Sequence, residues 1–92
     1  MILFFKDREK DYEAWCKGHE EGLVFNLAGG KTGNVLHYVG CRHLTAPRYI
    51  GTYTTRYPKY CSVNIKDLSD KADEVSKPYD WRRCRDCFRN RS

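Results

Sequence analysis

The chain has 92 residues, 40% hydrophobic, 32% charged and 14% aromatic, with a formal charge of +5. That mixture fits one small globular domain, residues 1–92, and excludes a disordered chain. The positive balance favours a polyanionic partner, and no apolar run has the length of a signal peptide or a membrane span. A cytoplasmic location is the expectation. There the five cysteines are expected as thiols or metal ligands, and their odd number leaves at least one unpaired in any case.

Residues 1–5 are apolar and fit a short strand or a lead-in to a helix. A helix is predicted over residues 7–17, with Asp7 or Asp11 as cap and Glu9 and Glu13 in its early turns. Tyr12, Trp15 and Cys16 fall on one face of it, and Gly18 marks its end. Both aromatics read as core packing. Residues 23–27 form a strand candidate, followed by a glycine-rich loop over 28–33.

Gly29-Gly-Lys-Thr32 resembles the end of a phosphate-binding loop. Phe25 stands where the first glycine of that pattern belongs, however, and residues 34–39 read as a strand where a helix should follow. A hairpin loop with glycines at positive φ is the simpler expectation. Gly40 then permits a tight turn before Cys41, and Arg42, His43 and Leu44 make one helical turn. Residues 49–55 read as a third strand. Residues 60–65 read as a fourth, with Cys61, Val63 and Ile65 on one face. A second helix runs from Asp67, its best cap ahead of Asn64 or Lys66, and carries Leu68, Ala72 and Val75 as an apolar stripe. Pro78 stops it, and a basic tail follows. The fold class is α+β: a small zinc-stapled domain with an N-terminal helix, a three- to four-stranded antiparallel sheet, a second helix and a C-terminal Cys-x2-Cys knuckle.

The staple is a His-x3-Cys pair, His37 and Cys41, together with a Cys-x2-Cys pair, Cys84 and Cys87. Zinc takes four thiolate and imidazole ligands in a tetrahedron, and such closely spaced pairs reach one ion where the backbone turns tightly. Backbone amides of the knuckle can point at its sulfurs, and Arg83 and Arg85 favour the ionised thiolates. His43 and Cys61 are alternative ligands by position. Alternation along its strand makes Cys61 a candidate buried thiol, and Cys16 reads the same way on its helix.

His37-x3-Cys41, Cys61-Ser62 on a strand, a helix from Asp67 and Cys84-Arg-Asp-Cys87 resemble the small zinc domain of the Ada family. The resemblance covers residues 35–89 and rests on order and spacing. It implies a zinc-stapled fold that contacts DNA, with residues around 42–60 as an insertion. In the family a zinc-bound cysteine at the first ligand position accepts a methyl group from DNA. Here that position is His37, which argues against alkyl transfer.

Four protein ligands leave no open position for water, so the zinc reads as structural and the chain as a non-enzyme. A nucleic-acid surface, for DNA above all, is expected from the C-terminal arginines Arg82, Arg83, Arg85, Arg89 and Arg91, interleaved with Trp81 and Phe88. Arg42, Arg48, Arg56 and Lys59 add a second basic edge if the metal joins residues 41 and 84. The alternative is a protein-interaction or inhibitor module of phage or bacterial type, presenting Tyr49, Tyr53, Tyr57 and Tyr60. No small-molecule substrate and no membrane is expected as partner.

Overall fold

A computed structural model describes residues 1–89 of the chain, so Arg91 lies outside the described residues. Ten elements are built around one sheet. They are β1 (Leu3–Phe5), α1 (Glu9–Gly18), β2 (Leu23–Leu27), β3 (Asn34–Tyr38), α2 (Arg42–Thr45), a 3-10 turn (Pro47–Tyr49), β4 (Lys59–Ser62), α3 (Ile65–Ser76), β5 (Arg82–Arg83) and α4 (Arg85–Arg89). The sheet order is β1-β4-β2-β3-β5. The first four strands pair antiparallel, and β5 joins β3 in parallel through Val35↔Arg82 and Leu36↔Arg83. The fold is the expected small α+β domain. Its sheet has five strands and is mixed, because the segment before the knuckle adds a short edge strand.

Strand alternation divides the core. Leu23, Phe25 and Leu36 lie with Leu68 and Ala72 in one cluster, under α3. Val24, Val35 and Cys61 lie in the other with Phe5, Tyr12, Leu44 and the cysteines at positions 41, 84 and 87. His37 alternates to this second face, so α3 covers one side of the sheet and α1 and the cysteine cluster cover the other. Tyr12 is buried as expected, and Trp15 packs against Gly22, where a Cβ would stand 2.6 Å from the indole.

The glycine-rich loop closes a hairpin. Ala28 N–H donates to Gly33 O at 3.3 Å, and Gly29 and Gly30 have φ of 85° and 67°. Asn34, 2% exposed, accepts from Gly29 N–H at 2.9 Å and pins the loop. The segment after it is β3, as expected, and not the helix of a phosphate loop.

Several local expectations are corrected. Residues 49–55 are not a strand: they leave the 3-10 turn and form turns tied to α1. The Glu9 carboxylate accepts the N–H of Tyr53 at 2.7 Å, that of Thr55 at 3.1 Å and the Thr54 hydroxyl at 2.7 Å, as well as the Thr54 N–H. Those amides are satisfied by one side chain, so they need no strand partner. Neither Asp7 nor Asp11 caps α1. Arg8 occupies the cap without a side-chain bond, and Asp11 instead pairs with Arg8 at 2.6 Å. On α3 the cap is Asn64, which accepts from Asp67 N–H at 2.9 Å, so Asp67 lies inside the helix. The fourth strand ends at Ser62, and Val63, 66% exposed, turns outward with Ile65.

Candidate metal centre

Each ligand candidate comes from the end of an element. His37 is the penultimate residue of β3. The chain then turns, with Cys41 N–H donating to Tyr38 O at 3.1 Å and Gly40 at φ 86°, a conformation that favours glycine. Cys41 caps α2, its carbonyl accepting from Leu44 N–H at 2.8 Å. Cys84 follows β5, and its N–H donates to Leu36 O at 2.8 Å, which extends the parallel pairing right up to the ligand. Cys87 lies in the first turn of α4. The short β5 therefore carries the knuckle to the end of β3.

His37, Cys41, Cys84 and Cys87 are all buried, and one ligand atom from each lies within 4.8 Å of the others. The Sγ atoms of Cys41 and Cys84 are 3.7 Å apart, and neither thiol is in a disulfide. Sulfurs bound tetrahedrally about 2.3 Å from one ion stand about 3.8 Å apart, so the spacing is that of a metal clasp. Buried His37 Nδ1 has no hydrogen-bond partner, a costly state that a coordinated cation relieves. These four residues can hold one metal ion. His43 is not in the group, because its ring turns to Asp86. Cys61, 0% exposed, sits on β4 as a core thiol, and Cys16 lies half-buried on α1 beside the same core.

Burial pushes Cys41 up to about 12 and raises Cys87, while the Tyr38 N–H, 3.3 Å from Cys87 Sγ, pulls the latter back. Cys84 falls below the ordinary thiol value. Burial opposes that shift, but the Cys87 and Asp86 amides and the neighbouring thiols outweigh it. Cys84 is thus the sulfur prepared to ionise first, and a cation is what allows the other two to follow. His37 is lowered to about 4 by burial and by the nearby His43, Arg82 and Lys59, so its imidazole is neutral and ready to coordinate.

The predicted basic residues take different places. Arg82 and Arg83 are exposed on β5, and Arg85 and Arg89 are exposed on α4. The Arg83 guanidinium lies 5.5 Å from the Phe88 ring centroid. Arg42 bonds Asp86 at 2.8 Å. Arg48 and Arg56 lie over Tyr49 and Tyr57 at 5.0 and 5.9 Å. Trp81 donates its indole N–H to Asp73 at 2.7 Å and meets Phe25 edge-on, which makes it a strut between α3 and the sheet.

A cavity of about 630 Å3 opens beside the cysteines, walled by Tyr38, Val39, Gly40, Arg42, Asp86 and Arg89. Asp86 is the contributor that sequence reasoning missed. An aspartate within Cys84-Arg-Asp-Cys87 is visible in the sequence, but its partners stand more than 40 residues upstream. Compared with known proteins, the chain matches no family model, no curated protein and no solved structure.

Proposed function

We propose that this chain is a non-catalytic zinc module that binds nucleic acid, DNA above all, through arginines displayed around the metal. Zinc is the ion that suits one imidazole and three thiolates in a compact buried clasp. Four protein ligands close the coordination sphere, so the ion's work is to hold β3, α2 and the C-terminal segment together.

One observation carries the nucleic-acid reading. Arg82, Arg83 and Arg85 are exposed, and among the described residues none has a carboxylate within ion-pair distance. Three guanidinium groups without a carboxylate partner among the described residues, on a segment fixed by the metal, suit phosphate contacts. The Ada-like order of ligands supports the same partner, and His37 at the first position keeps alkyl transfer out of the proposal. Free thiols at all five cysteines suit a cytoplasmic location.

The test is binding of duplex and single-stranded DNA of unrelated sequences, titrated against salt, by the metal-loaded protein. Affinity should fall log-linearly with salt. No binding even at low salt removes the proposal.

A further inference from the structure

The face of the sheet that carries His37 borders another cavity, of about 250 Å3. Asn26, Tyr49, Tyr53, Arg56, Tyr57 and Lys59 line it, and His37 and His43 border it too. Lys59 alternates onto this face and is 6% exposed. Its Nζ donates to Asn26 Oδ1 at 2.5 Å and to Tyr57 O at 3.2 Å, both neutral acceptors. Among the described residues no carboxylate lies within ion-pair distance of it. The field of Glu9 reaches it, but that carboxylate is already bonded by residues 53–55.

A buried ammonium with only neutral partners is an expensive arrangement, and buried charges are ordinarily paired. Burial lowers Lys59 to about 8, which leaves it mostly protonated at neutral pH. Arg56 adds a second cation at the cavity wall, and among the described residues it too has no carboxylate within ion-pair distance. Tyr49, Tyr53 and Tyr57, spaced four apart in the sequence, give the wall its aromatic part, beside Leu44 and Thr52.

The geometry points to a phosphate monoester as the occupant, its oxygens on Lys59 Nζ and the Arg56 guanidinium and its organic part against the three tyrosines. A dianion with three acceptor oxygens matches two cations and neighbouring hydroxyls better than a carboxylate does. The cavity lies below the usual size for a drug-sized ligand, about 300 Å3 and upward, and suits a phosphoryl group with part of its carrier. The same chemistry is offered by a free mononucleotide and by the 5′-phosphorylated end of a strand. The strand-end source rests on the nucleic-acid reading, whereas binding of the monoester does not.

Calorimetry and NMR titration of the metal-loaded protein with AMP and with adenosine test the inference. AMP should bind saturably and perturb the amides of residues 53–59, and adenosine should not. Lys59→Gln should abolish AMP binding. Arg56→Ala, at an exposed position that leaves the core intact, should weaken it at least about fivefold. Equal binding of AMP and adenosine, no binding of AMP, or full binding by Arg56→Ala overturns the inference.

A 5′-phosphorylated oligonucleotide compared with its unphosphorylated twin separates the sources. Tighter binding of the phosphorylated strand, lost in Arg56→Ala, assigns the cavity to strand ends. Equal binding of the two strands beside AMP binding assigns it to free monoesters. Salt-dependent DNA binding with no response to AMP sinks this inference and leaves the nucleic-acid reading standing, and AMP binding without DNA binding does the reverse.

Discussion

The His43 imidazole and the Asp86 carboxylate meet at 2.5 Å, Nε2 to Oδ2, and Arg42 reaches the same oxygen at 2.8 Å. His43 foremost, with Arg42, holds the Asp86 carboxyl down at about 2. Cys41 caps the helix that carries Arg42 and His43, while Asp86 sits between Cys84 and Cys87. The bridge therefore ties one ligand segment to the other from outside the coordination sphere. Contacts outside the coordination sphere that fix the ligand-bearing segments set ligand orientation, and loss of such outer partners commonly costs about tenfold or more in metal affinity. Asp86→Ala should fold, bind one ion and lose about tenfold in affinity against a chromophoric chelator. Unchanged affinity would reduce the bridge to a surface contact.

The five cysteines should separate into two classes. Cys84→Ser removes the sulfur most ready to ionise, and metal content by mass spectrometry should fall from one bound ion per chain to a trace. Cys61→Ser places a hydroxyl at a fully buried site outside the clasp. It should cost about 1–3 kcal/mol in urea unfolding while metal content holds. Loss of the metal from the Cys61 variant with its fold intact would mean that the ligand set is wrong.

The four residues of the His/Cys cluster were legible because spacing within each pair is a local property. The β2–β3 hairpin was legible for the same reason, since Phe25 and residues 34–39 contradict a phosphate loop within one short window. What escaped was set by distant partners. Residues 49–55 alternate as a strand should, yet Glu9, more than 40 residues away, takes their amides. β5 has two residues and no signal of its own, and exists because Cys84 is drawn beside Leu36. Lys59 reads as part of a basic surface edge just ahead of the fourth strand, but the strand begins at Lys59 and the sheet register turns it inward opposite Asn26, leaving it 6% exposed.

Glu9 supplies a pH dependence. Burial by itself raises its carboxyl, but the bonds from Thr54 foremost and from Tyr53 and Thr55 outweigh it and bring it below its ordinary value of 4.5. A depressed carboxyl gives its full stabilisation above that value and loses it as pH falls through the lower, folded one. Glu9→Gln should therefore be less stable than wild type at pH 7 by about 1–2 kcal/mol, from weakened bonds to amides. The gap should narrow as pH drops below about 4.5, where wild type loses the charge too. Paired urea titrations at each pH check this, and a gap that stays constant would show that the charge is not what holds the loop.

The arginine face predicts a change in salt dependence rather than in fold. Arg82 and Arg83 pair with β3 through their backbones, so side-chain truncation leaves the ladder in place. For every phosphate that an arginine no longer neutralises, the slope of log affinity against log salt on duplex DNA should become shallower by about 0.9. The triple variant Arg82→Ala, Arg83→Ala, Arg85→Ala should keep its metal content and its unfolding midpoint and show that shallower slope. Lys66→Ala is the control: it removes one positive charge from α3, on the other face of the sheet, where Lys66 pairs with Asp70 at 3.1 Å. If the control flattens the slope as much as one arginine does, the protein binds by net charge alone. A triple variant with the wild-type slope would place the phosphate-binding side chains elsewhere, with Arg42 and Arg89 at the mouth of the open cleft the next residues to truncate.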